Sequence, residues 1–184
     1  MQLIKKLMAS LMVITLVNSA LAMEMEDDRQ DELNRRLRAA AGNTASLYIN
    51  HNPSEVNVLL AQGANPDCKF YFNKEPILIT AVKAYGTANK LITLKIVKAL
   101  LNNDVNLNAQ DAEGNTALHY AIQIKWMSMI KILISASADP YIRNKEDISA
   151  ADLLRAWINE TEAAGDPEGR LNELNRFMDM MPIR

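Results

Sequence analysis

Cysteine is almost absent from this chain: Cys68 is the one thiol in 184 residues. No internal disulfide can form, so stability must come from packing, and the thiol is either a plain small side chain or a point for a mixed disulfide. Histidine is nearly as scarce, with only His51 and His119. A lone Cys and a remote His do not make a nucleophile and base, and neither His has a second ligand at metal spacing. The six glycines sit at turns and form no phosphate-cradling loop. There is no basic excess either, since the formal charge is −2, which argues against a nucleic-acid partner. Catalysis, metals and organic cofactors are therefore not expected.

Long apolar runs are also missing. Residues 7–17 are apolar apart from small polar residues, but the run is shorter than the roughly 20 residues that span a bilayer. With Lys5 and Lys6 before it and Ala20-Leu21-Ala22 after it, the segment has the three parts of a secretory leader. The expectation is cleavage after Ala22, which leaves Met23 to Arg184 with no membrane span and, as Lys5 and Lys6 depart, a formal charge of −4 in place of −2. Residues 23–31, rich in Glu and Asp, are then expected as a flexible acidic end, followed by one domain over 32–181.

What the chain does have is an internal repeat. Val56, Val97, Ile130 and Leu171 follow one another at a long, a short and again a long interval, and Leu59, Leu100, Leu133 and Leu174 repeat those intervals in the same order. Glu75-Pro76-Ile77 stands one long interval before Thr116-Ala117-Leu118, and Ser149-Ala150-Ala151 one short interval after it. Four units follow, at about 33–67, 68–108, 109–141 and 142–181. Units one, two and four carry eight extra residues, close to two helical turns, which are expected to lengthen both helices of a pair equally. In the first unit Leu33, Leu37 and Ala40 form an apolar stripe, with Arg35, Arg36 and Arg38 facing water.

The third unit carries Gly114-Asn115-Thr116-Ala117-Leu118-His119-Tyr120-Ala121, which resembles the G-x-T-P-L-H-x-A opening of an ankyrin repeat. The phrases GANPD, DVNLN and SADPY, at 63–67, 104–108 and 137–141, are similar to the turn that closes such a repeat, with Asp104 standing at its glycine position. The resemblance covers roughly residues 33–180. It implies an all-α solenoid of about four stacked helix pairs joined by short β-hairpin-like fingers, and a structural hydrogen-bonding role for His119.

The resemblance also implies a protein partner, met by the fingers and by the inner face of the first helices. Carried onto this chain, the finger candidates are Lys69, Phe70, Tyr71, Phe72 and Lys74, then Glu113 and Asn115, then Arg143 and Lys145, with Gln123 on the inner face. Phe70, Tyr71 and Phe72 are unusual at a turn tip, where small or polar residues are the rule; they either contact a partner or fold back onto the first unit. Trp157 is read as core or contact, and Trp126 as lining or filling a notch between taller hairpins.

The expected function is a non-enzymatic, monomeric binding scaffold exported to a bacterial periplasm, as an inhibitor or immunity partner of an exported enzyme or toxin. The alternatives are a secreted effector binding a host protein and, from another class, an enzyme built on Asp111, Glu113, Asp147 and Asp152.

Overall fold

The computed structural model describes residues 2–41, 52–70, 74–84, 89–166 and 169–181, with side chains in the first segment at Thr15 and from Asn18 onward. Among the described residues eight helices follow in order: α1 (Gln2–Ala41), α2 (Pro53–Ala61), α3 (Ile77–Lys83), α4 (Lys90–Leu101), α5 (Ala117–Gln123), α6 (Met127–Ser135), α7 (Ala150–Ala163) and α8 (Leu171–Met180). Sequential helices pack as hairpins. The first helices form an inner layer in the order α1, α3, α5, α7, and α2 with α4 and α6 with α8 pack in the outer layer. Among the described residues the only β pairing is two isolated antiparallel bridges, Lys69 with Pro76 and Arg143 with Ser149. This is the all-α solenoid of four helix pairs expected from the repeat.

The repeated leucines hold the stack together. Leu59, Leu100, Leu133 and Leu174 are fully buried, as are Val56, Val97 and Ile130. The stripe on α1 is also buried at Leu33, Leu37 and Ala40. Arg38 departs from expectation: it is 7 % exposed and donates to the Lys69 carbonyl, because the first finger folds over this turn of α1. Residues 23–31 continue α1 with side chains exposed except at Gln30, which is half-buried and donates to the Gly63 carbonyl at 3.0 Å, and with an i,i+3 ion pair between Glu26 and Arg29. No described helix is long and apolar enough to cross a membrane.

A ladder of carboxamide and carboxylate side chains joins the repeat-closing turns. Asn34 Oδ1 accepts from the Asn65 amide at 2.8 Å, Asp67 Oδ1 from the Asn106 amide at 2.6 Å, and Asn108 Oδ1 from the Asp139 amide at 2.9 Å. Asn65, Asn106 and Asp139 in turn accept from the amide two residues on, closing their own turns. The residue two positions earlier takes a left-handed backbone at each turn, with φ of 95° at Gly63, 56° at Asp104 and 70° at Ser137. Only the first is the residue type that adopts this conformation without cost.

The extra residues are not shared equally between helices. In the third unit α5 and α6 have seven and nine residues. In the second unit α3 also has seven, while α4 has twelve, its start set by Asn89, whose side chain accepts from the Leu91 amide at 2.9 Å. In the fourth unit the first helix, α7, doubles to fourteen. The reason lies in the apolar stripe Leu154, Trp157, Ile158 and Thr161, all buried, which keeps α7 helical. The third unit has Lys125 where the fourth has Ile158, so its stripe ends there, and Lys125 turns the chain with φ of 54°. The insertion of the first unit lies outside the described residues.

Both tryptophans belong to the core. Trp126 is 5 % exposed at the short hairpin of the third unit and fills the space there, and Trp157 is 4 % exposed. The exposed edge of Trp157 is covered by Lys125 and Arg170, whose charged groups lie 5.6 and 5.9 Å from its ring centroid. Cys68 is buried too, and burial pushes its thiol pKa up.

Candidate functional site

The second and third described fingers are built by the same side-chain device at equivalent positions of successive units. Asp111 Oδ1 accepts from the amides of Glu113 and Asn115 at 3.0 and 2.9 Å. Asn144 Oδ1 accepts from those of Glu146 and Ile148, both at 3.0 Å. A short acceptor at the start of each finger thus replaces the pairing that a longer hairpin would supply.

Three further bonds tie the two fingers into one ledge, and a fourth, from Gln110 to Gly114, closes the second finger on itself. The Lys145 amide donates to the Glu113 carbonyl at 3.0 Å, Asn144 Nδ2 to Asn115 Oδ1 at 2.9 Å, and Gln110 Nε2 to the carbonyls of both Gly114 and Arg143 at 2.6 and 3.1 Å. Between the fingers and α5 lies an open cleft of about 290 Å³ lined by Glu113, Asn115, Gln123, Asn144, Lys145 and Glu146. It brings together four of the expected contact residues, Glu113, Asn115, Gln123 and Lys145. Glu113, Gln123 and Lys145 are exposed there, whereas Asn115 is 8 % exposed and links the fingers.

Arg143 stands apart from the cleft and forms ion pairs with Asp147 and Asp152. On the first finger the Phe70 amide donates to the Glu75 carbonyl and the Lys74 amide to the Phe70 carbonyl, both at 3.0 Å. Lys69 and Lys74 are exposed, but the Phe70 ring packs partly buried against the core, so it takes the folded-back reading. Tyr71 and Phe72 lie outside the described residues.

A polar chain that the sequence reading missed runs along the inner face. Glu75, 5 % exposed, accepts from Thr80 Oγ1 and Lys83 Nζ, each at 2.6 Å. Lys83 Nζ also lies 4.7 Å from the centre of the Tyr120 ring, and Tyr120 donates to Asp111 Oδ2 at 2.5 Å. The Lys83 ammonium loses solvation, which alone would lower its pKa, but the Glu75 carboxylate outweighs this and the pKa is raised. Burial, then the bond to Asp111, raises that of Tyr120. The sequence signal was an acidic residue, Glu75, at the position where the other units have the Thr116 or Ser149 hydroxyl.

His119 has the structural role expected of it. Nδ1 accepts from the Thr116 amide at 3.1 Å, and Nε2 donates to the Ile148 carbonyl at 3.1 Å on the next finger. Asp152 takes the equivalent place in the fourth unit, accepting from the Ser149 amide and hydroxyl at 3.1 and 2.7 Å, and those bonds hold its pKa down. Burial lowers the pKa of His119 below its usual 6.5. The folded state therefore favours the neutral ring, and its contribution to stability, complete above about pH 6.5, is lost as the pH falls through that value towards the lower folded pKa. The free energy of unfolding from urea titration should drop more steeply from pH 7 to 5.5 in the parent than in His119→Gln, the two slopes differing by at most about 1.4 kcal/mol per pH unit. Parallel pH profiles would show that the ring is not held neutral.

Three of the four carboxylates of the enzymatic alternative are occupied locally, and the fourth, Glu113, is exposed in the cleft. Asp111 shapes a finger, Asp152 caps α7, and Asp147 pairs with Arg143. Among the described residues no three His, Cys, Asp or Glu side chains are grouped to hold a metal ion.

A helix-pair solenoid with hydrogen-bonded fingers defines a class, and comparison with known proteins agrees. The family model described as Ankyrin repeats (3 copies) matches residues 41–144, more than half of the chain. The chain belongs to the ankyrin-repeat family, whose repeats are generally protein-interaction modules.

An ankyrin repeat protein of fowlpox virus is 40% identical over 82 residues, covering 41% of this chain and 15% of that protein. Human NF-kappa-B inhibitor delta is 32% identical over 104 residues, covering 54% of this chain and 32% of that protein. Among solved structures, the ankyrin repeat domain of Bcl-3, a member of the IkappaB family, aligns with a TM-score of 0.48 and 27% identity over 54% of this chain and 40% of that one. In each case the match spans less than half of the relative's length.

Proposed function

We propose that the chain is a non-enzymatic protein-binding scaffold exported to a bacterial periplasm, where its finger ledge occludes an exported enzyme or toxin as an inhibitor or immunity partner. The observation that carries the binding reading is the hydrogen-bonded union of the second and third fingers beside the cleft. Glu113, Gln123 and Lys145 project from an already ordered frame, so a partner that meets them has little finger ordering to offset. One relative is, by its name, an inhibitor of NF-kappa-B, which is the kind of activity proposed here, by analogy of fold. Export rests on the leader pattern of residues 1–22.

The test is affinity capture from a periplasmic extract, followed by calorimetry with the protein recovered. Replacing Glu113, Gln123 and Lys145 together by Ala should weaken that complex at least about tenfold, with the melting temperature held. Unchanged affinity would move the contact away from the ledge. Intact mass of the chain recovered from periplasm should begin at Met23, and retention of Met1 would remove export by cleavage.

A further inference from the structure

Most of the ion-paired cations lie on the first helices of the units, while Lys69, Lys74 and Lys145 on the fingers are exposed with no ion pair to a described carboxylate. Arg29, Arg35 and Arg36 on α1, Lys83 on α3, and Arg143 and Arg155 at the fourth unit all form ion pairs. Lys95 and Lys98 on α4, Lys131 on α6 and Arg176 on α8 form none with a described carboxylate. These four are exposed on the outer layer, opposite the helices that border the cleft.

Lys95 and Lys98 stand on an otherwise largely apolar helix, whereas Lys131 borders Asn172, Glu173 and Arg176 of α8. The sequences of α4, KLITLKIVKALL, and α6, MSMIKILIS, contain no acidic and no aromatic residue. Leu91, Lys95 and Lys98 follow one another at helical spacing on a single exposed stripe, and Leu91 is 59% exposed. Lys98 and Lys131 occupy the same repeat position on successive outer helices. Val58, on the neighbouring α2, is 53% exposed. Acidic residues enter the outer layer only at its ends, with Glu55 paired to Arg36 on α2 and with Glu173 and Asp179 on α8.

We propose that the outer face of α4 and α6 docks on a bilayer containing anionic phospholipid. The composition selects this occupant. Protein interfaces are depleted in Lys and enriched in aromatic residues and Arg, the reverse of what α4 and α6 carry. Single-stranded nucleic acid would be met with aromatic stacking platforms, and none is present on these helices. Lysines interleaved with exposed aliphatics suit the headgroup boundary, where ammonium groups reach phosphates while Leu91 and Val58 meet the acyl edge. This surface is separate from the finger ledge and leaves the ledge free for its protein partner.

The experiment is co-sedimentation of the full chain with vesicles of phosphatidylcholine alone and with roughly one-third phosphatidylglycerol added. Replacing Lys95, Lys98 and Lys131 together by Gln should lower partition onto the anionic vesicles about 100-fold, and each single replacement about fivefold. Partition onto neutral vesicles should be equal for parent and variant, which accounts separately for any contribution of the apolar residues 7–17. Leu91→Asn should also weaken the anionic interaction, an effect that purely ionic attraction lacks. Thermal melts should coincide; if the triple variant melts early, the single variants decide. Equal partition of parent and variants onto anionic vesicles would overturn the proposal. So would loss of binding to duplex DNA, rather than to vesicles, in the same lysine variants.

Discussion

Leu133→Ala should lower the free energy of unfolding by about 3–5 kcal/mol, the upper part of the range for a buried leucine. Leu133 is fully buried in α6, the outer helix of the shortest unit, between units whose α4 and α7 are longer. The surrounding helices are held by the amide ladder at one end and by Trp126 at the other, so the space left by three carbons cannot close by a simple collapse. A solenoid passes stability through neighbouring interfaces, so a defect in the third unit should uncouple the fourth as well. Leu91→Ala, at a residue 59% exposed, should change stability by no more than about 0.5 kcal/mol and serves as the control. Urea titration decides the matter: coincident midpoints for Leu133→Ala and the parent would show that the leucine register does not mark the core.

That register made most of the fold legible in the sequence. Positions that recur at the same long and short intervals can satisfy both hydrophobic burial and a regular stack only if each unit contributes the same helix face, and Leu59, Leu100, Leu133 and Leu174 all do. The partition of the inserted residues was not legible. It depends on where an apolar stripe stops, and the single exchange of Ile158 for Lys125 between units four and three sets that point. Arg38 was misplaced for a related reason: a helical wheel does not show that the first finger will fold over it.

The finger face was legible in part. The resemblance gave Glu113 and Lys145 as finger positions and Gln123 as an inner-face position, and one cleft contains all three. Asn115 looked equally free, yet its carboxamide is taken up by Asn144, a partner 29 residues away that no local pattern reveals. The same holds for the chain from Glu75 through Lys83 and Tyr120 to Asp111. Each member is an ordinary polar residue in sequence, and only the stacking of α3 on α5 brings them into contact.

Gly114→Ala should lower stability by about 2–5 kcal/mol and release the second finger from the third. Two separate costs contribute. The backbone at Gly114 has φ of 81°, a conformation that costs an L side chain about 1–2 kcal/mol. A Cβ built there would also lie 3.0 Å from Asn144 Cα and 3.0 Å from the Lys145 nitrogen, both main-chain atoms that no rotamer change can move. Relieving such a contact costs about 1–3 kcal/mol in packed surroundings. It must push away the segment whose amide donates to the Glu113 carbonyl, so the ledge itself should open. Gly63→Ala isolates the first cost, because φ there is 95° and no heavy atom lies within 4 Å of the added carbon. The two variants, compared by urea titration and by hydrogen exchange at the Lys145 amide, should therefore differ in both readouts: a larger loss of stability and faster exchange for Gly114→Ala alone. Equal losses with an unchanged exchange rate would mean that the fingers are not packed backbone to backbone, and the preformed ledge on which the binding proposal rests would go with them.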